Sequence, residues 1–469
     1  MVGEKESSIR VLAVKGGAYL SLRELLGMLV RLGGVATVTH IIGPSGYGTY
    51  FAAATFVALI ASAAQMGAEL WLIRLKDDPT PQDLNEVWTS LLVVSVLLTA
   101  ASLLVSYVIG MFVPSSDIEP FRLLVLSVPL NVLWAPGQAL IERKFEYRKM
   151  AWLELGGDVV LYGIAVPLAF VGFGVDSLVL GFIGWQAFLL VASLRLAHFR
   201  PRLRWNRSAT GALIRHGVGY SSTGWATQLG TASVTVLVGS FAGAADVGFV
   251  GLALRLIDTV GFGIRATARI SMAALSRLVD DRPRMGRALE QGMIGQLAIV
   301  ALPMLVVVLP STTLIPLIFG HQWAPAIPLF CLLCIGRVIA SPFILQTTML
   351  YVEGRISSVL RANIVIAVLT WTFGLPLTLF FGPTGYVWGM VGATVGYYLV
   401  HRATMKVVQL HYRNVVFGTV AVVPGLVIPL VHFPGRWFLL LPLLVAVRDG
   451  RLRGQVGGLI GTVLKGARS

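Results

Sequence analysis

The stretch GVDSLVLGFIGWQAFLLVASLRLAHFRPRLRWNR, residues 174–207, decides the fold. Its middle, residues 177–198, is a 22-residue run in which the only charge is Arg195, near the end. As a helix such a run is about 33 Å long, enough to cross the roughly 30 Å hydrocarbon core of a bilayer. The two ends differ. Gly174-Val175-Asp176 carries no cation, whereas the other end carries Arg195, Arg200, Arg202, Arg204 and Arg207. One apolar run with a cation-free end and a cation-rich end reads as a single membrane crossing.

The same unit recurs outward in both directions. Apolar runs cover 18–42, 48–73, 87–113, 121–141, 150–173, 177–198, 213–241, 246–278, 286–310, 325–350, 356–381, 384–408, 414–432 and the shorter 435–447. The gaps between them alternate. Summed over alternate gaps and the termini, one side holds 28 Lys and Arg. The other holds two, Arg122 and Arg436. Cytoplasmic loops carry the excess of Lys and Arg, so both termini are expected in the cytoplasm and the number of crossings is even. The sequence therefore predicts an all-α, polytopic membrane protein of about fourteen transmembrane helices. Its outer loops are too short to hold a soluble domain.

Composition agrees. Of 469 residues, 56% are hydrophobic and 13% charged, and the mean hydropathy is +0.80. Soluble domains carry about 25% charged residues. That excludes a soluble enzyme, a disordered chain and a nucleic-acid-binding domain, and the net charge of +15 follows from the loop cations. Two cysteines cannot build a disulfide framework. Cys331 and Cys334, a C-x-x-C inside an apolar run without a second pair, read as small apolar helix residues. No cleavable signal peptide is evident at the start, and no P-loop or hydrolase motif occurs. No cofactor is expected.

The chain also repeats itself. Gly174, Val179, Gly181 and Gly184 recur as Gly382, Val387, Gly389 and Gly392, an offset of 208. Pro136 recurs as Pro342, an offset of 206, and Gly48 has a counterpart in Gly248. Six crossings per half give both halves the same membrane sense, a parallel repeat. The expected organisation is a six-helix bundle over 1–208, a second over 209–410, and an extra helix pair with an amphipathic cytoplasmic tail over 411–469. In the tail, Val456, Leu459, Ile460, Val463 and Leu464 fall at helical spacing.

Seven arginines lie inside the apolar runs: Arg23, Arg31, Arg215, Arg255, Arg265, Arg269 and Arg337. An arginine at the bilayer centre costs about 2.5–3.5 kcal/mol on insertion scales, so most must pair, snorkel or face water. Arg255, Asp258, Arg265 and Arg269 share roughly one side of a helix, and Glu24 and Arg31 lie seven residues apart. The candidate anion-binding residues are Arg31, Arg255, Arg23, Arg265, Arg269 and Arg337, because a guanidinium fork matches phosphate. Glu24, Asp158 and Asp258 are candidates for ion coupling. For Asp158, pairing with a neighbouring arginine is the simpler expectation. Arg215, beside a basic gap, is expected to snorkel.

The ordered motifs Ile42-Gly43-Pro44-Ser45-Gly46-Tyr47-Gly48, Ile141-Glu142-Arg143-Lys144-Phe145-Glu146-Tyr147-Arg148, Val238-Gly239-Ser240-Phe241 and Phe319-Gly320-His321-Gln322-Trp323-Ala324 resemble the Wzx-like flippases. These form the polysaccharide branch of the multidrug/oligosaccharidyl-lipid/polysaccharide superfamily. The resemblance implies a fold like that of the multidrug exporters of this superfamily, two six-helix bundles around a central cavity. It implies a polyprenyl-pyrophosphate-linked oligosaccharide as substrate, moved between leaflets of a prokaryotic plasma membrane, with membrane lipids and a polysaccharide polymerase as partners and no nucleic acid. Arg31 and Arg255 match positions where such flippases place cations. Three alternatives stand beside it: an ion-coupled multidrug exporter of the same fold, a peptidoglycan-precursor flippase and a membrane glycosyltransferase. An excess of arginine disfavours an exporter of cations, and the short outer loops disfavour a glycosyltransferase.

Overall fold

The structure is a computed structural model. It describes residues 2–448 except 76, 112–114, 145, 262–266, 268–270, 273 and 432–434, with side chains described from Gly27 on, apart from 115–117, 208–209, 216–220, 446–447 and some single positions. Every regular element among the described residues is helical. The first half contains α1 (Val2–Gln65), α2 (Ala68–Arg74), α3 (Pro81–Ile109), α4 (Ser115–Val125), α5 (Val128–Leu133), α6 (Ala135–Arg143), α7 (Tyr147–Val171), α8 (Val175–Leu196) and α9 (Arg207–Ser233). A π-helical turn, Val234–Val238, leads to the short α10 (Gly239–Phe241) and then α11 (Ala244–Val260). There follow α12 (Arg282–Val308), α13 (Ser311–Phe319), α14 (Ala326–Val352), α15 (Ile356–Ala393), α16 (Tyr398–Met405), α17 (Arg413–Val427) and α18 (Leu441–Arg448).

Nine helical stretches among the described residues are long and apolar enough to cross a membrane. Two of them, Gly27–Gln65 and Ile356–Met405, are each broken by one non-helical glycine, Gly43 and Gly382. Counting those two as pairs gives eleven crossings. The other three apolar runs of the sequence fall on α9 to α10, on α11 with the partly described segment after it, and on the short apolar helix Arg436–Val445. Large apolar side chains lie open on the helix surfaces, among them Leu97, Leu104 and Val105 of α3 and Phe380 and Phe381 of α15. Water would penalise such a surface; hydrocarbon does not.

Five turns in cation-free gaps share one device. Gly43, Gly174, Gly243, Gly320 and Gly382 each have φ between 54° and 100° and ψ within about 55° of 180°. Only glycine enters that region without a penalty of about 1–3 kcal/mol. Each turn reverses the chain in a few residues, which is why these connections are so short. Two inner turns that correspond in the two halves use side-chain caps instead. Thr80 and Asp83 form a capping box at the start of α3, and Asp281 accepts from the Arg284 backbone N–H at the start of α12.

The chain divides into two compact units, Gly16–Thr235 and, in the main, Val236 onward. The division falls at the π-helical turn Val234–Val238. Within the first unit, α9 is held by the Trp225 indole N–H, which donates to the Ser62 carbonyl, and by the Ser90–Thr210 hydroxyl pair. The first unit's core centres on Val57, Leu72, Leu91, Leu124, Val132 and Leu213. A core cluster of the second unit contains Met285, Met293, Met349, Leu350 and Val359.

Candidate functional site

In the first unit, α1 and α7 meet at two consecutive layers. A Cβ on Gly34 would lie 2.1 Å from Tyr162 Cγ, so a bare glycine lets the two backbones approach. One turn away, the Arg31 guanidinium donates through Nη1 to Asp158 Oδ2 at 2.7 Å. The layers advance together, 31 with 158 and 34 with 162, as they must for two helices running in the same membrane sense. Asp158 is eleven residues from the start of α7 and thirteen from its end, about 17 Å and 20 Å away. The pair therefore sits near mid-depth. Arg31 retains 22% side-chain exposure and Asp158 12%, so the pair is shielded but not sealed.

The second unit holds a looser pair. Arg337 Nη2 of α14 lies 3.7 Å from Asp258 Oδ1 of α11, with side-chain exposures of 38% and 66%. The Arg337 Nε is buried and makes no hydrogen bond among the described residues. Arg255, one turn before Asp258, is exposed on the same helix. Arg215 is exposed near the start of α9. Arg265 and Arg269 lie outside the described residues, as do the side chains of Arg23 and Glu24 and the whole amphipathic tail. Of the nine candidates, the structure thus joins Arg31 to Asp158 and Arg337 to Asp258, and leaves Arg255 at a unit surface.

Several polar groups escaped the search for charges within apolar runs. Gln138 of α6 donates one amide group to both Glu69 Oε1 of α2, at 2.9 Å, and Glu142 Oε1, at 3.0 Å. Neither carboxylate has a cation within 4 Å among the described residues. The neighbouring Arg143 is committed elsewhere, to the carbonyls of Leu72, Leu75 and Asp77 and to the Asp78 carboxylate. It thereby caps the C-terminal end of α2, where helix carbonyls lack partners. In the second unit Gln346 donates to the Tyr412 hydroxyl at 2.8 Å, and that hydroxyl lies 2.8 Å from His401 Nδ1. Burial pushes the Tyr412 phenol up to about 12, and which of Tyr412 Oη and His401 Nδ1 donates follows the histidine tautomer. Glu69 lies within the apolar run 48–73, and the glutamine that joins it carries no pattern signal in the sequence. Cys331 and Cys334 are fully buried free thiols in α14.

Residues 37–328 match the family described as polysaccharide biosynthesis protein. The chain belongs to that family. The lipopolysaccharide biosynthesis protein WzxC of Escherichia coli is 21% identical over 408 residues, which is 84% of this chain and 79% of that one. The succinoglycan biosynthesis transport protein ExoT of Rhizobium meliloti is 21% identical over 309 residues, 66% of this chain and 63% of that one. Among solved structures, the lipid II flippase MurJ in an inward closed conformation superposes with a TM-score of 0.72. It is 13% identical and the match covers 97% of this chain and 99% of that one. At that identity the likeness speaks for the fold: this member of the polysaccharide biosynthesis protein family has the helical architecture of that flippase.

Proposed function

We propose that the protein moves a polyprenyl-pyrophosphate-linked oligosaccharide from the cytoplasmic to the outer leaflet by alternating access, for surface polysaccharide synthesis. The observation that carries this reading is the Arg31–Asp158 pair, a guanidinium held at mid-depth yet still partly exposed. A buried arginine is tolerable only while its charge is answered. Asp158 answers it when no substrate is present. A pyrophosphate offers the same two-oxygen face with more charge, so it can replace the carboxylate on the guanidinium. Asp158, no longer engaged by Arg31, is the candidate that links substrate entry to ion movement. Arg255 and Arg337 are the candidate anion-binding residues of the second unit. Asp258 plays toward Arg337 the part Asp158 plays toward Arg31, and Arg23, Glu24, Arg265 and Arg269 extend the path.

The names of the relatives WzxC and ExoT, a lipopolysaccharide biosynthesis protein and a transport protein, support this reading. The fold shared with a lipid II flippase supports a lipid-linked load in general, so a peptidoglycan precursor is the second substrate to test. An exporter of cationic drugs fits poorly, because arginines at mid-depth repel such cargo. In this reading both termini are cytoplasmic, the membrane is the plasma membrane and a polysaccharide polymerase takes the product.

The test is complementation of a strain lacking the protein, with surface polysaccharide as readout and protein level as control. Arg31→Ala and Arg255→Ala are expected to abolish polysaccharide while the protein still accumulates. Normal polysaccharide from either variant would remove that residue from the path. Rescue of a strain depleted of its peptidoglycan-precursor flippase, without rescue of polysaccharide, would reassign the substrate.

A further inference from the structure

The connector between α8 and α9 has a shape that its role as a link does not require. Residues 201–206 carry no helix. They are tied along the first turns of α3 by a polar stripe, Asn85, Glu86, Thr89 and Ser90. The Arg202 backbone N–H donates to Asn85 Oδ1 at 2.7 Å and the Arg204 backbone N–H to Thr89 Oγ1 at 2.9 Å. Asn206 Nδ2 donates to Glu86 Oε2 at 3.0 Å. Two backbone donors at i and i+2 pointing the same way are the mark of an extended chain, in which side chains alternate between faces. Arg202 and Arg204 therefore share one face with Arg200, and Leu203 and Trp205 share the other.

All five side chains are exposed, Leu203 at 76% and Trp205 at 53%. A solvated loop has no reason to hold a leucine and a tryptophan open beside three arginines on a backbone this firmly pinned. The ribbon also lies where α3 begins, α8 ends and α9 begins, so it sits at an edge of the membrane. Next to it is an open crevice of about 690 Å³, lined by Thr80, Gln82, Asn85, Arg202, Leu203 and Arg204. The local acids are already occupied. Asp83 is closed into the capping box with Thr80, and Glu86 accepts from Gln82 and Asn206 and lies 3.8 Å from Arg204 Nε. What the ribbon presents outward is therefore cationic on one face and apolar on the other.

We infer that residues 200–205 form a membrane-interface strap that binds the phosphate headgroups of anionic phospholipids. Leu203 and Trp205 lie at the acyl boundary, where aromatic and aliphatic side chains anchor interfacial segments. Arg200 and Arg202 take the phosphates, joined by Arg204. By fixing the strap to α3, the protein ties the connector to one unit and to the lipid surface together. The inference rests on the membrane reading of the fold and does not depend on which substrate is moved.

The test uses the purified full-length protein, equilibrated with equal amounts of phosphatidylglycerol and phosphatidylcholine, with retained lipid measured by native mass spectrometry. Each basic residue near an anionic surface contributes roughly fivefold in affinity. The triple variant Arg200→Gln, Arg202→Gln, Arg204→Gln is therefore expected to lower the phosphatidylglycerol preference at least tenfold. High salt should lower the wild-type preference similarly. The pair Asn85→Ala, Thr89→Ala keeps every cation but unpins the backbone, and it too should lose preference. Unchanged preference in either variant would overturn the strap. So would full displacement of phosphatidylglycerol by glycerol phosphate, which would mark a site for free phosphate, or by polyglutamate, which would mark an acidic protein partner. Arg31→Ala should keep the lipid preference even though flipping is lost, so the two proposals fail separately.

Discussion

The α7–α8 hairpin and the hairpin inside α15 are two copies of one packing scheme with different chemistry. In the first, Gly181 would place a Cβ 2.7 Å from the Leu161 carbonyl oxygen and 2.9 Å from Ala165 Cβ. In the second, the equivalent Gly389 would place one 2.8 Å from both the Cα and the N of Gly374. Each hairpin turns at a glycine that only glycine can occupy cheaply, Gly174 and Gly382. The offset of 208 thus preserves turn and contact. It does not preserve charge. Asp158 of the first hairpin aligns with Ile366 of the second, and Ile366 packs against Gly396. The repeat maintains a scaffold, and the polar pair occupies one copy only. Architecture and chemistry are separable within a single fold, and substitutions should act on them separately.

The largest expected effect comes from Asp158→Ala. It leaves Arg31 at mid-depth without its carboxylate, and breaking such a shielded pair costs about 3–5 kcal/mol. The aligned change Ile366→Ala removes only apolar contact and should cost about 2–4 kcal/mol, less because the site is partly open. Thermal unfolding in detergent measures both. The sharper contrast is the double variant Arg31→Leu, Asp158→Leu, which removes both charges. It should recover most of the stability and none of the transport. If it transports, the pair is a structural tie and not part of the path.

Next in size are the glycine contacts. Gly181→Ala and Gly389→Ala both push a methyl against backbone or a short rigid side chain, so each should cost about 1–3 kcal/mol. Similar losses in the two hairpins would show that the repeat is conserved packing. A loss in one alone would break the comparison. Gly184 and Gly392 grade the same test. Their Cβ positions meet Ile164 Cδ1 at 2.4 Å and Phe373 Cδ2 at 3.3 Å, side-chain atoms that can shift, so alanine there should cost less. At the turns, Gly174→Ala and Gly382→Ala are each expected to cost about 1–3 kcal/mol through backbone conformation alone, because nothing lies within 4 Å of either added Cβ.

How far these features were readable in the sequence follows from what each depends on. The apolar runs and alternating loop cations depend on the bilayer and are local, so the helical membrane fold was legible. The turn glycines are visible as short cation-free gaps, though their backbone conformation is not. Arg31 and Asp158 both stood out as charges in apolar runs, yet 127 residues separate them and no periodicity links two helices. The polar stripe of α3 was in plain view at positions 85, 86, 89 and 90. Its partner is the backbone of a connector, which leaves no signature in residue type.

The smallest expected effect concerns the inner turns, where the two halves again solve one problem differently. After α6, Arg143 reaches back to the carbonyls at the end of α2 and to Asp78. After α14, Glu353 reaches back to Arg282 at the start of α12, at 2.5 Å. Arg143 is 14% exposed and answers several carbonyls that otherwise face an apolar surrounding, whereas in the second pair Glu353 is 9% exposed but Arg282 is 45% exposed and has water as an alternative. Exposed pairs contribute at most about 1 kcal/mol, and unsatisfied carbonyls cost about 1–3 kcal/mol. Arg143→Gln should therefore lower thermal stability clearly, while Glu353→Gln should change it little and lose even that difference at high salt. Equal losses would mean that both contacts close their helices by charge alone. A loss confined to Arg143→Gln would show that the first half closes α2 with hydrogen bonds, which salt does not screen.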